Sequence, residues 1–93
     1  MSALRSPEVE RAAYATIAKA LNRCTYVPGC WDKRFARAMA AIADVDPEWA
    51  FTERQRASLL RLAHKYRRQV ATEVVMLAQD LAEAAAQAQG AVA

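Results

Sequence analysis

The sequence predicts an all-α fold, a small three-helix bundle with a C-terminal helical extension or fourth helix. Three observations point there. Apolar residues recur at threes and fours along most of the chain, the spacing of one helix face. Only two glycines and three prolines punctuate the 93 residues, too few for the many turns of an all-β domain. Much of the 55% hydrophobic content is alanine, the best helix former. The length is that of a single helical domain, residues 1–93, and the composition is that of a folded rather than a disordered chain.

The first helix is expected over 7–24. Ser6 suits the N-cap, Pro7 the first helical position, and Glu8 and Glu10 complement the helix dipole. Val9, Ala13, Ile17, Ala20, Leu21 and Cys24 share one face. "TYVPGC" ends it, since Pro-Gly is a strong turn signal. The second helix is expected over 31–44. Trp31, Phe35, Met39 and Ile42 form its apolar stripe, with Trp31 and Phe35 read as core. Lys33 and Arg37 lie opposite, and Arg34 lies at the stripe edge, its stem packed and its head wet. "DVDPEWAF" connects. A single helical turn from Asp46-Pro47-Glu48 would tuck Trp49 or Phe51 against the core.

A third helix is expected over 52–88, with a possible break near 70. Thr52 and Gln55 form a capping box at its start. Leu59, Leu62, Ala63, Tyr66, Val70, Val74, Leu77 and Leu81 then recur at helical spacing. Unbroken, this helix would be roughly 55 Å long, against ~20–27 Å for the first two. They cannot cover it. Residues 72–88 must fold back as a fourth helix, pair with another chain, or extend into solvent. Val75 and Met76 widen the apolar face there, which favours a fold-back or a homodimer through 72–88.

Charge is polarised along the chain. All 13 Lys and Arg fall in residues 1–72 beside seven acids, whereas 73–93 hold three acids and no base. A basic body favours polyanionic partners. In "LLRLAHKYRRQV" and the turn before it, Arg54, Arg61, Lys65 and Arg68 fall within a sector of about 60° on a continuous helix, opposite Leu59 and Tyr66. His64 borders the sector. Arg34 and Arg37 of the second helix extend it if presented on the same side. A row of this kind can follow several phosphates, and the planar guanidinium suits bidentate phosphate contact. An ordinary solvated helix face is the competing explanation. Against it, six bases and His64 meet only Glu53 between 53 and 68, where a plain soluble face mixes signs for i,i+4 pairing. A helix-turn-helix is disfavoured by the long "DPEW" connection and the shortage of Asn and Gln for base readout.

Other constellations are weaker. Tyr26, Trp31 and Trp49 are candidates for base stacking, with core packing as the default. "DVDPE" has three carboxylates in five residues, but Asp and Pro are also turn residues. Cys24 and Cys30 allow a disulfide, with reduced thiols in a cytoplasmic protein the expected state. One histidine makes a zinc set implausible. No triad, nucleophile elbow or phosphate loop occurs, so neither an enzyme nor a cofactor is expected. The start lacks an apolar signal core, and no apolar run reaches membrane-spanning length.

"YVPGCWDKRFARAM", followed by "FTERQRASLLRLAHKYRRQV", resembles small uncharacterised all-helical proteins of proteobacterial phages and prophages. The resemblance covers about residues 20–70, with Cys30 where serine is expected. It implies an accessory gene product of a mobile element, a class that often acts on nucleic acid or blocks a host nucleoprotein machine. Two functional expectations follow. The first is non-enzymatic binding of DNA or RNA, mainly through phosphates, by Arg54, Arg61, Lys65 and Arg68 with Arg34 and Arg37. The alternative is a protein-binding inhibitor or adaptor acting on a host nucleoprotein complex. A module whose charge only keeps it soluble is a third reading.

Overall fold

The computed structural model describes residues 7–92, which form four helices and no strand: α1 (Pro7–Asn22), α2 (Trp31–Val45), α3 (Glu53–Lys65) and α4 (Thr72–Val92). The expected cap at Ser6 lies outside the described residues. α1 is the central element. It packs against α2, α3 and α4, and α3 packs against α4. A helix with three neighbours needs a wide apolar face. Tyr14 and Ala18 are therefore buried beside the expected Ala13, Ile17 and Leu21, while Val9 at the helix start is exposed.

The α1–α2 connection contains a tight turn. Cys30 N–H donates to the Val27 carbonyl at 3.2 Å, and Gly29 adopts a φ of +77°. Pro28 then Gly29 at the two central positions is the type II arrangement. Cys24 and Cys30 are free thiols.

On α2 the expected stripe is corrected. The buried face is Ala36, Met39, Ala40 and Ala43. Trp31 stays 48% exposed, and Phe35 and Ile42 are half-buried. Alanines supply most of the buried face of α2, and Trp31, at the helix start, lies outside the core cluster that Phe35 and Ile42 pack against. The expected stripe thus holds at Met39, and at Phe35 and Ile42, which pack against the core from half-buried positions; it fails at Trp31 and leaves out the buried alanines.

The α2–α3 connection is a β-turn, not a helical turn: Trp49 N–H donates to the Asp46 carbonyl at 3.0 Å. Asp46 Oδ1 accepts from Glu48 N–H at 3.2 Å, and Asp44 pairs with Lys19 at 3.3 Å. The acids of "DVDPE" thus include a turn former and a surface ion-pair partner. Phe51 is buried, whereas Trp49 remains exposed.

α3 begins at the expected capping box. The Thr52 hydroxyl accepts from Gln55 N–H at 3.1 Å, and Gln55 Oε1 accepts from Thr52 N–H at 2.9 Å. Its buried face is Leu59, Leu62 and Ala63. The helix stops at Lys65, and residues 66–71 reverse the chain. Gln69 anchors this reversal. Its side-chain amide accepts from Thr25 N–H at 2.7 Å and donates to the Thr25 carbonyl at 3.1 Å, tying the turn to the α1–α2 connection. Val70 is buried at the bend. α4 then runs back over α1 and α3, burying Ala78 and Leu81. A continuous helix over 52–88, at roughly 55 Å, would exceed the longest dimension of the fold, 40 Å. Val75 is half-buried in this return, and Met76 is exposed.

Candidate nucleic-acid interface

The two segments rich in bases and aromatics meet at one end of the molecule. The first turn of α2 touches the last turn of α3 and the residue after it. Asp32 organises the contact. Lys65 Nζ and the Tyr66 hydroxyl both donate to Asp32 Oδ2, each at 2.7 Å. Asp32 also sits in the first turn of α2, where the helix dipole favours a carboxylate. Tyr66 in turn packs edge-on against Tyr26, ring centroids 4.7 Å apart. The Tyr26 hydroxyl donates to the Leu21 carbonyl, so this ring is committed to the fold. Burial, with Cys24 nearby, pushes the Tyr26 phenol well up.

The Lys65 ammonium, then the Tyr66 hydroxyl, hold the Asp32 carboxyl below its ordinary value of 3.8. The same bond to Asp32 raises Lys65 above its ordinary 10.5. A lowered carboxyl pKa contributes stability that is present above 3.8 and lost as pH falls through the folded pKa. A raised ammonium pKa contributes stability that is present below 10.5 and lost as pH rises through the folded value. Asp32→Asn is therefore expected to lower the melting temperature at pH 7 and to remove part of the wild-type loss below pH ~4. Thermal melts of both proteins from pH 7 to 3 check this. Parallel curves would show that the Asp32 cluster carries no pH-dependent stability.

Beside Asp32, Trp31 and Phe35 stack with centroids 4.8 Å apart and planes 15° from parallel. The Arg61 guanidinium carbon lies 5.7 Å from the Trp31 ring centroid, within cation–π range. Arg34 follows Trp31 by one helical turn, and Arg37 follows Arg34 by another; both are exposed. Arg54 lies two turns before Arg61 on the same edge of α3, roughly 10 Å away along the axis. None of Arg34, Arg37, Arg54 and Arg61 makes an ion pair among the described residues.

The fold thus brings Arg61 and Lys65 to the first turn of α2, where Arg34 also lies; Arg54 is two turns further along α3, and Arg37 is on the side of α2 opposite the Trp31–Phe35 stripe. Two sequence-based assignments change. Arg68 lies past the end of α3, in the 66–71 reversal, so it leaves the 60° sector that a continuous helix gave it. Lys65 remains at the edge of the row but is paired with Asp32, which offsets its charge.

Comparison with protein-family models, with curated proteins and with solved structures finds no match to this chain.

Asp32 and Gln69 were not singled out by sequence, because both act across more than 30 residues of chain. Trp31, a stacking candidate by sequence with core packing as its default, is exposed. His64 is exposed, and its backbone carbonyl accepts from Arg67 Nη1 at 2.9 Å. Among the described residues no three His, Cys, Asp or Glu side chains cluster as metal ligands would. No described helix is long and apolar enough to cross a membrane.

Proposed function

We propose that this protein is a non-enzymatic, cytoplasmic nucleic-acid binder that grips phosphates with the arginines of the α2–α3 face. Arg54 and Arg61 form one side of the interface, and Arg34 and Arg37 the other. Lys65, tied to Asp32, braces the face more than it charges it. The observation that supports this reading is Arg61 over the exposed ring of Trp31, with Arg34, Arg37 and Arg54 also exposed on α2 and α3 and none of the four in an ion pair among the described residues. Like charges held together cost stability unless a partner offsets them, and a polyphosphate backbone is a partner of the opposite charge. An accessory role in a phage or prophage, implied by the resemblance of residues 20–70, belongs to the same proposal.

The test is fluorescence anisotropy of labelled DNA and RNA oligonucleotides with the purified protein. Binding in the micromolar range or tighter near physiological salt is the expected result. No binding even at low salt overturns the reading.

A second reading is supported by the other end of α2. Ala41, Ile42, Val45 and Trp49 border a shallow, almost wholly apolar depression, and Val45 is 85% exposed. An adaptor or inhibitor of a nucleoprotein complex would dock a partner there. A homodimer would instead use Met76, an exposed large apolar residue of α4.

A further inference from the structure

Phosphate binding leaves the exposed indole of Trp31 without a task. We infer that Trp31 is a stacking platform for an unpaired base, so that the interface takes single-stranded nucleic acid in preference to duplex. This inference rests on the phosphate-binding reading of the surrounding arginines.

The packing of α2 does not require a tryptophan here, since the helix buries Ala36, Met39, Ala40 and Ala43 instead. A side chain of this size left 48% exposed forgoes much of the free energy its burial would bring. It is also held in place. Phe35, one turn further on, lies nearly parallel to the indole and braces it. A braced ring loses little freedom when a ligand lands on it. Arg61 sets a cation over the same ring at the loose distance of 5.7 Å, and Arg34 lies one turn along the helix.

An unpaired nucleotide matches this arrangement atom class for atom class. Its base has a flat π face that takes the place of the Arg61 guanidinium over the indole, and its phosphate is an anion for the displaced Arg61 or for Arg34. A duplex keeps its bases stacked and paired inside, so it meets the arginines but not the indole. Neither of the other aromatic candidates has the same setting. Tyr26 is packed against Tyr66 and bonded to Leu21. No basic side chain borders the depression that Trp49 lines.

The experiment compares dissociation constants of a labelled 12-nucleotide oligo-dT and of a 12-base-pair duplex at one salt concentration. Wild type, Trp31→Leu and Trp31→Phe are measured, each melted beforehand to verify the fold. Wild type is expected to prefer the single strand. Trp31→Leu is expected to lose roughly 5- to 150-fold for oligo-dT, the range of one base–aromatic stack, with duplex affinity unchanged within about twofold. Trp31→Phe retains most of the single-strand affinity. Equal wild-type affinity for both probes, or an equal loss for both in Trp31→Leu, overturns the stacking role and leaves the arginine reading standing. No binding of either probe overturns both.

A second measurement does not depend on altering Trp31. In Trp49→Phe protein all tryptophan emission comes from Trp31. Oligo-dT is expected to quench it and the duplex to leave it largely unchanged. Emission unaffected by saturating oligo-dT overturns the inference.

Discussion

Leu81→Ala should cost about 2–5 kcal/mol of folding stability, the range for emptying a fully buried leucine site. Leu81 is 1% exposed where α4 packs back onto the bundle. A chain of this length has a total stability of only roughly 5–14 kcal/mol, so the loss would be a large fraction of the whole. Few residues can compensate. Among the described residues the fully buried large side chains are Ile17, Leu21, Leu59, Leu62 and Leu81, and much of the remaining core is alanine. Urea unfolding followed by circular dichroism at 222 nm measures the effect. Met76→Ala is the internal control, because Met76 is 58% exposed on the same helix; its cost should stay within about 0.5 kcal/mol. If α4 instead stood in solvent, both substitutions would be nearly silent. A Leu81→Ala cost below 0.5 kcal/mol, on the scale of about 0.5 for surface changes, would contradict the fold-back.

The double reversal Arg54→Glu/Arg61→Glu should weaken oligonucleotide binding by roughly 100-fold or more, each basic group near an anionic surface contributing on the order of 1 kcal/mol and each reversal acting twice. The fold should survive. Both side chains are exposed and in no ion pair among the described residues, so the reversal gives up only the Arg61 cation–π contact with Trp31 and the longer-range attraction of Arg61 for Asp32, while removing like charge relieves repulsion on that face. Lys65 is the wrong residue to reverse, since a glutamate there would face Asp32 at the distance now bridged by a hydrogen bond. A reversed protein that melts like wild type and binds equally well would remove Arg54 and Arg61 from the interface.

Much of the local structure was legible because its causes are local. The Thr52–Gln55 capping box needs only four consecutive residues, and it forms as the sequence indicates. The Pro28-Gly29 turn is equally short-ranged. The reversal at 66–71 has no glycine or proline to announce it. It is held by Gln69 on Thr25 and by burial of Val70, which are consequences of the tertiary fold. Helix length pointed to it indirectly, since two short helices cannot cover one twice as long. The aromatic stripe of α2 misled for a related reason: periodicity shows that a face is apolar but not which apolar face a neighbour will choose. For the site, the excess of arginine over acid was plain in the sequence. The Asp32–Lys65 pair was not, because its partners are far apart in the chain. That pairing, together with the end of α3, reduces the four-residue row to Arg54 and Arg61 and gives greater weight to Arg34 and Arg37.

Whether these arginines meet phosphates is tested most directly by the salt dependence of oligonucleotide affinity, measured for wild type and for Arg54→Glu/Arg61→Glu. Four phosphate contacts on a single strand predict a log–log slope of about −3 for wild type, at roughly 0.7 per contact. Losing two of them should make the slope shallower by about 1.4. Equal slopes for the two proteins, or a wild-type affinity that does not respond to salt, would contradict a phosphate-gripping face on α2 and α3.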